Sequence, residues 1–390
     1  MAIMPPTPGI LHTYHPSRNL NLFEHTPYSP DTSSSNVPPP KHILLFIGGL
    51  YDNFLTPSYT SDLAALFPLH TAQTWRLIHT QLSSAGRAFG TLDVDRDIEE
   101  MGVAIDFVRQ KLYRNANQGS DVDIVLMGHS TGCQDTMRYL SAPNPVSERK
   151  AKRPVVQGAI LQAPVSDRDA MNHSIEEGPE VRKAYDSTMA IVNATGEKEY
   201  RDVLLPLSVS RSLFGPAPLS IARFLSLASP RSPQNPSVED FFSSDLTDER
   251  LRSTFGRVGR NGLLQPSTTS VRESQSILIL MSDSDEYAKV DQRTVLSRWK
   301  SIMTEDTGAV IHGESSVILN ALHDVSGEDW PSQEARLVVL RKKVLHYLKD
   351  VVGDIGSDAM DIWHKDGDRV MALKSGDGRR IEDQVGVLKL

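Results

Sequence analysis

Hydrophobic positions along the chain follow two alternating patterns, one typical of strands and one typical of helices. Short apolar runs, typical of strands buried on both faces, occur at 43–47, 124–127 and 276–281, and further strands are predicted at 75–82 and 158–163. From Val94 to Leu112 the apolar residues instead recur at spacings of three and four, which predicts one face of a long helix. Strands that alternate with helices predict the α/β class, with a mostly parallel, doubly wound sheet covered on both faces.

Further segments complete this predicted sheet. Residues 9–25 read as two short strands around a Pro-Ser-Arg-Asn turn, and residues 315–322 as a last strand. A closing helix is predicted over 334–351, with Leu337, Leu340, Val344 and Leu348 facing inward. We therefore expect residues 1–390 to form a single domain.

The alternation of strands and helices stops between about 166 and 266. This stretch favours helices, is interrupted by Pro and Ser, and lacks a clear strand, so it predicts a lid inserted between two strands of the sheet. Residues 27–40 are rich in Ser and Pro and predict a flexible loop. Residues 353–390 are charged and rich in Gly and Asp, which predicts a C-terminal extension.

Composition narrows the class of protein. A formal net charge of −8 argues against a nucleic-acid partner, which would require a basic face. The single cysteine excludes an internal disulfide framework and suits a reducing compartment. No apolar run approaches the roughly 18 residues of a membrane span, and the first residues lack the pattern of a secretory leader. We expect a cytoplasmic protein without a membrane partner; its oligomeric state stays open.

One turn carries the clearest chemical signal. The apolar run 124–127 leads directly into Gly128-His-Ser-Thr-Gly132, which fits G-x-S-x-G, and a helix-compatible segment follows. Strand, sharp turn and helix in this order form the nucleophile elbow of an α/β-hydrolase. Both glycines are explained by the close approach of helix and strand. Ser130 is thus the candidate nucleophile.

A serine hydroxyl needs a base that takes its proton. In this fold the order along the chain is Ser, acid, His, each on a loop at the carboxyl end of a strand. His323 follows the last predicted strand and is the candidate general base. Asp285 follows the run 276–281 and is the preferred acid, because it lies deeper in the loop; Asp283 remains the alternative.

The tetrahedral intermediate needs backbone N–H donors for its oxygen. One is expected from Thr131, the residue after the nucleophile. The other is expected from the loop after the first central strand, where Leu50 is preferred and Gly49 is the alternative. No metal or organic cofactor is needed for this chemistry. Asp93 and its acidic neighbours, which imitate a calcium loop, are expected to cap the long helix instead.

Six segments together resemble one family. They are G-I-L-H-x-Y, LLFIGGLYDNF, SSAGRAFGTLDVDRDIEEM, MGHSTGCQD, LQAPVSDRDAM and LMSDSDEY, and they span roughly residues 9–350. They are similar to the fungal family of formerly uncharacterised α/β-hydrolases (DUF1749-like) that includes intracellular esterases of fusarinine-type hydroxamate siderophores. The resemblance implies the roles given above to Ser130, Asp285 and His323. It also implies cleavage of an ornithine-ester siderophore, with or without iron, for iron release or recycling.

Three readings of function remain open from the sequence. The first is a serine esterase acting on a small-molecule ester through an acyl-enzyme. The second keeps the same three residues but uses a thioester or amide, or transfers the acyl group to an alcohol. The third is a scaffold that binds a ligand without catalysis, since folds of this kind can retain a triad without using it.

Overall fold

The structure is a computed structural model. It describes residues 7–26, 39–70, 74–114, 122–146, 151–267, 275–304, 308–326, 330–353 and 355. Most of the predicted loop at 27–40 and of the predicted extension at 353–390 lies outside these described residues. Within the described part, no helix is both long enough and apolar enough to span a bilayer.

The strands are short and mostly buried. They are β1 (Gly9–His15), β2 (Leu20–His25), β3 (His42–Ile47), β4 (Trp75–Thr80), β5 (Asp123–His129), β6 (Gly158–Gln162), β7 (Ser276–Ser282), β8 (Val310–Ile311) and β9 (Ser316–Ile318). The helices between and after them are α1 (Tyr59–His70), α2 (Val94–Phe107), α3 (Gly132–Ser141), α4 (Asp167–Glu177), α5 (Pro179–Ala194), α6 (Leu207–Phe214), α7 (Ile221–Ala228), α8 (Asp248–Thr254), α9 (Gln292–Ile302) and α10 (Trp330–Val351).

The strands form one sheet in the order β1-β2-β4-β3-β5-β6-β7-β8, and β9 also pairs with β7. Pairing is antiparallel for β1 with β2 and for β2 with β4, and parallel from β4 onward. The register aligns Ile47 with Gly128 and His129 with Gln162. The loops that follow β3, β5, β7 and β9 therefore leave the same edge of the sheet, where ligands bind in folds of this kind.

Both faces of the sheet are covered, which explains the unbroken apolar runs. Successive side chains of a strand point to opposite faces. Leu45 and Leu126 accordingly belong to a core with residues of α2 and α3, whereas Leu44 and Val125 belong to a second core with residues of α1 and α10. The four leucine and valine positions predicted to face inward on α10 are all buried.

The predicted elements agree with the structure where the apolar pattern is long. Both N-terminal strands, the five predicted central strands and the long helix are present; α2 ends at Phe107 and continues as a π-helical turn to Leu112. The last strand is shorter than predicted, since β9 covers only Ser316–Ile318. Asp93 caps α2 as expected, because its carboxylate accepts a hydrogen bond from the Arg96 amide.

The segment between β6 and β7 is helical, with α4 to α8 and two short 3₁₀ turns, Glu197–Glu199 and Phe255–Arg257. It contacts the turn Gly86–Thr91, where the Ser220 amide donates to the Gly90 carbonyl at 2.8 Å. It also contacts the loop after β3, since the Tyr51 hydroxyl donates to the Phe214 carbonyl. The inserted helices thus lie against the loop that is expected to supply an oxyanion donor.

Candidate active site

Ser130 lies in a tight turn between β5 and α3. Its φ is +55°, a left-handed conformation that non-glycine residues rarely adopt, and its amide donates to the Gln162 carbonyl at 3.1 Å. A Cβ at Gly128 would lie 2.3 Å from the Gly132 carbonyl oxygen, and one at Gly132 would lie 2.3 Å from the Ile47 carbonyl oxygen. Helix, strand and neighbouring strand approach too closely for side chains, which is the physical reason for both glycines.

The loops after β7 and β9 bring an imidazole and a carboxylate together. His323 Nδ1 lies 2.8 Å from Asp285 Oδ2, and both side chains are almost fully buried. Asp285 Oδ1 also accepts a hydrogen bond from the Tyr287 amide at 3.0 Å. Burial on its own lowers the pKa of His323, but the hydrogen bond and the charge of Asp285 outweigh it, so the pKa is raised.

Asp283 occupies a different position in the same loop. Its carboxylate lies 3.3 Å from a guanidinium nitrogen of Arg293, and its side chain is 31% exposed. The Asp283 amide donates to the Ile318 carbonyl, which ties the loop to β9. Of the two acids weighed from the sequence, Asp285 is the one that contacts the His323 ring.

The loops that carry Ser130 and His323 meet through their neighbours. The rings of His129 and His323 have centroids 4.9 Å apart. Burial, followed by the charge of His323, lowers the pKa of His129 to about 4, so His129 is neutral near pH 7. In the described part of the chain, neither Ser130 Oγ nor His323 Nε2 has a protein hydrogen-bond partner. Both atoms are therefore available to a substrate.

Gln162, at the end of β6, is a site residue that the sequence did not indicate. Its Nε2 donates to the His323 carbonyl at 3.3 Å, and its Oε1 accepts hydrogen bonds from the Tyr59 hydroxyl and the His129 ring. Its side chain is completely buried. A polar residue that ends a fully apolar strand run was the one available signal in the sequence.

Glu286 was also missed. Its carboxylate accepts a hydrogen bond from the His323 amide at 2.9 Å, and its charge contributes to the raised pKa of the imidazole. It directly follows the preferred acid, so nothing in its spacing distinguishes it from a surface residue of the loop.

In the loop after β3, the two candidate oxyanion donors differ in whether their amide is already hydrogen-bonded. The Gly49 amide donates to Asp52 Oδ2 at 2.7 Å, so this N–H is already engaged. A Cβ on Gly49 would lie 2.8 Å from the Ser130 Cβ, which shows how closely the loop approaches the serine. Among the described residues, the amides of Leu50 and Thr131 have no protein acceptor. This arrangement favours Leu50 over Gly49 as a donor to a substrate oxygen.

Comparison with known proteins places the chain in a family. The family model described as a protein of unknown function (DUF1749) matches residues 1–349. Fusarinine C esterase sidJ of Aspergillus fumigatus is 39% identical over 368 residues, covering 88% of this chain and 96% of that protein. An esterase of Emericella nidulans is 35% identical over 376 residues, covering 90% and 94%.

A solved structure agrees with the sequence comparisons. The siderophore hydrolase EstB from Aspergillus fumigatus aligns with a TM-score of 0.71 and 34% identity, covering 89% of this chain and 98% of that one. The strand order and the parallel pairing described above match the expected α/β-hydrolase fold. The chain has this fold and belongs to the DUF1749 family.

Proposed function

We propose that the protein is a serine esterase that cleaves ester bonds of fusarinine-type hydroxamate siderophores inside the cell, for iron release or recycling. The observation that carries the chemistry is the 2.8 Å contact between His323 Nδ1 and Asp285 Oδ2. Ser130 lies in a nucleophile elbow after β5, at the same edge of the sheet. The substrate class rests on the two relatives named for fusarinine C and siderophore hydrolysis. The setting inside the cell rests on the family resemblance and the lone cysteine.

In the first half of the reaction, Ser130 Oγ attacks the ester carbonyl carbon while His323 Nε2 takes the hydroxyl proton. The tetrahedral intermediate carries its negative charge on the former carbonyl oxygen, which accepts hydrogen bonds from the amides of Leu50 and Thr131. Each such donor typically stabilises the transition state by about 3 kcal/mol. The C–O bond to the alcohol then breaks, and His323 gives its proton to the leaving oxygen.

In the second half, water replaces the alcohol. His323 takes a proton from the water as its oxygen attacks the acyl-enzyme, and it returns that proton to Ser130 Oγ when the acid leaves. Asp285 holds the Nδ1–H tautomer and stabilises the imidazolium through both stages. The raised pKa of His323 follows from the same contact, because Asp285 favours the charged ring.

The test uses the substrate directly. Purified protein is incubated with ferric and with iron-free fusarinine C, and the released monomers are followed by mass spectrometry. We expect cleavage of at least one form, and a fall of several orders of magnitude in Ser130→Ala. A folded wild-type preparation that cleaves neither form overturns the substrate. Cleavage that survives in Ser130→Ala overturns the mechanism. If wild type cleaves neither form, but wild type and Ser130→Ala both bind fusarinine C, the protein is a ligand-binding scaffold.

A further inference from the structure

The candidate oxyanion donor Leu50 lies in a tight turn that begins at Gly49 and ends at Asp52. The Asp52 amide donates to the Gly49 carbonyl at 3.1 Å, so Leu50 and Tyr51 are the two central residues of a β-turn. The hydrogen bond of such a turn joins its first and last residues, which leaves the amide of the first central residue available. The turn therefore explains why the Leu50 N–H is open to a substrate oxygen.

The carboxylate of Asp52 adds a second bond to the same glycine. Its Oδ2 accepts a hydrogen bond from the Gly49 amide at 2.7 Å, a short distance that suits a charged acceptor. Asp52 thus holds both polar groups of the Gly49 backbone, the carbonyl through its own amide and the amide through its side chain. Since glycine has the freest backbone of all residues, these two bonds restrict the most adaptable position of the loop.

The orientation of the Gly49 carbonyl determines the direction of the Leu50 N–H. These two groups belong to one trans peptide unit, which is planar, so they point in opposite directions. Because the Asp52 amide binds the carbonyl, the direction of the N–H is fixed as well. Rotation of this unit by half a turn would replace the N–H with a carbonyl oxygen, which cannot stabilise an oxyanion. The two bonds from Asp52 oppose this rotation.

The turn lies directly against the candidate nucleophile. A Cβ placed on Gly49 would lie 2.8 Å from the Ser130 Cβ and 3.2 Å from the Ser130 Oγ, so the backbone of residue 49 is next to the attacking oxygen. The amide of Leu50 follows in the next peptide unit. A donor to the oxyanion must be placed closely, since such hydrogen bonds are only about 2.7–3.1 Å long. The shape of this turn therefore bears directly on the transition state.

Asp52 is itself held in place by its surroundings. Its carbonyl accepts a hydrogen bond from the Gly86 amide at 3.1 Å, and a Cβ placed on Gly48 would lie 2.6 Å from the Asp52 Cβ. The Asp52 side chain is 20% exposed, and His129 Nε2 lies 3.8 Å from its Oδ2, beyond the length of a hydrogen bond. Among the described residues, the Gly49 amide is the one hydrogen-bond donor to this carboxylate. A largely buried carboxylate is costly unless it is hydrogen-bonded, and this one is bonded to the oxyanion loop.

We propose that Asp52 is the positioning residue of the oxyanion hole, and that its two hydrogen bonds to Gly49 keep the Leu50 amide directed at the oxygen of the tetrahedral intermediate. The assignment rests on the proposed esterase function, with Leu50 as a donor. The hydrogen bond matters here rather than the charge, because a nearby carboxylate repels an oxyanion. Asp52→Asn keeps an acceptor oxygen and removes the repulsion, whereas Asp52→Ala removes the acceptor.

The test compares Asp52→Ala, Asp52→Asn and the matched control Asp123→Ala. The Asp123 side chain is 21% exposed and is hydrogen-bonded to the Ser267 hydroxyl at 2.8 Å, but it lies at the amino end of β5, away from the site. For each variant, kcat and KM are measured with a 4-nitrophenyl ester. The inhibition constant of an aliphatic trifluoromethyl ketone is measured as well, because its adduct with the serine carries an oxyanion at the same place. Unfolding curves show which variants are folded, and Asp52→Leu, which lacks an acceptor but keeps a branched side chain, replaces Asp52→Ala if that variant does not fold.

We expect Asp52→Ala to lower kcat by about 100-fold with little change in KM, and to raise the inhibition constant of the ketone by a similar factor, because one donor to the oxyanion is lost. Asp52→Asn should stay within about fivefold of wild type in all three constants, and Asp123→Ala should keep the wild-type kcat even if it is less stable.

Three results overturn the role of Asp52 while leaving the esterase intact. One is a folded Asp52→Ala with wild-type kcat or with unchanged affinity for the ketone. The others are equal losses of kcat in Asp52→Ala and Asp52→Asn, and an equal loss in Asp123→Ala. A wild-type protein that hydrolyses neither the 4-nitrophenyl ester nor fusarinine C overturns the esterase itself.

Discussion

The side chain of Gln162 donates a hydrogen bond to the carbonyl of His323, and the backbone carbonyl of the same glutamine accepts one from the amide of Ser130. The end of β6 thus connects the loop of the candidate nucleophile with the loop of the candidate base. Ser130 and His323 lie 193 positions apart in the chain. The proposed mechanism requires no contact between Gln162 and the substrate, so we regard Gln162 as a positioning residue.

Gln162→Leu should therefore weaken catalysis more than substrate binding. We expect kcat to fall by about 10- to 100-fold with KM little changed, because the imidazole loses its fixed position. Stability should fall by about 1–3 kcal/mol, since partners such as the Tyr59 hydroxyl lose their acceptor. Tyr59→Phe is the matched control, because it removes one hydrogen bond of Gln162 and keeps the bond to His323. Equal losses of kcat in both variants would contradict a role in positioning the base.

The two acids of the loop after β7 can be separated by a pair of isosteric variants. Asp285→Asn should lower kcat by about 10⁴-fold, because the amide no longer stabilises the imidazolium or enforces the Nδ1–H tautomer. Asp283→Asn removes a half-exposed ion pair with Arg293 and should leave kcat within a few-fold of wild type. Initial rates with a 4-nitrophenyl ester measure both. The assignment fails if Asp283→Asn is the damaging change.

The pH dependence follows from the contacts of His323. The base must be neutral to accept the serine proton, so activity falls as the pH drops through the pKa of His323. This pKa is raised, so the acidic limb of kcat/KM should have its midpoint above the ordinary histidine value of about 6.5. Glu286→Gln removes one of the charges that raise the pKa and should move the limb to lower pH. A limb that moves upward, or stays in place, would contradict the assigned base.

The elbow glycines can be tested by stability. Gly132→Ala places a Cβ 2.3 Å from the Ile47 carbonyl oxygen, so we expect a loss of several kcal/mol or no folded protein. Gly86→Ala is the control: it has a φ of +65° and no atom within 4 Å of the added Cβ, so it should cost only about 1 kcal/mol of backbone strain. Thermal or denaturant unfolding compares the two. Similar losses at both positions would mean that close approach does not explain Gly132.

The sequence predicted best what depends on long, regular patterns. The parallel strands were recognisable because burial on both faces leaves uninterrupted apolar runs, as in Ile43–Ile47. The helices α1 and α9 were not predicted. The short strand β8, at Val310–Ile311, was missed as well, because two residues cannot form a period. Its pairing with β7 comes from the tertiary fold rather than from local preference.

Site residues with a motif were accessible from the sequence, whereas those defined by three-dimensional contacts were not. Ser130 stands in a fixed pattern, and His323 and Asp285 follow strands in a fixed order. Gln162 reaches the site only because β6 lies beside β5 in the sheet, with the register that aligns it to His129. The bond of the Asp52 carboxylate to the Gly49 amide likewise depends on the shape of the turn after β3. No spacing rule encodes such contacts.

The central claim is that Ser130 is an activated nucleophile, and covalent labelling tests it most directly. The full chain is treated with a fluorophosphonate probe and digested, and the modified peptide is identified by mass spectrometry. The account predicts a single phosphonylated site at Ser130, lost in Ser130→Ala and strongly slowed in His323→Ala, with unfolding curves showing that both variants are folded. A folded wild-type protein that stays unlabelled at Ser130, or that is labelled equally fast without His323, would contradict it.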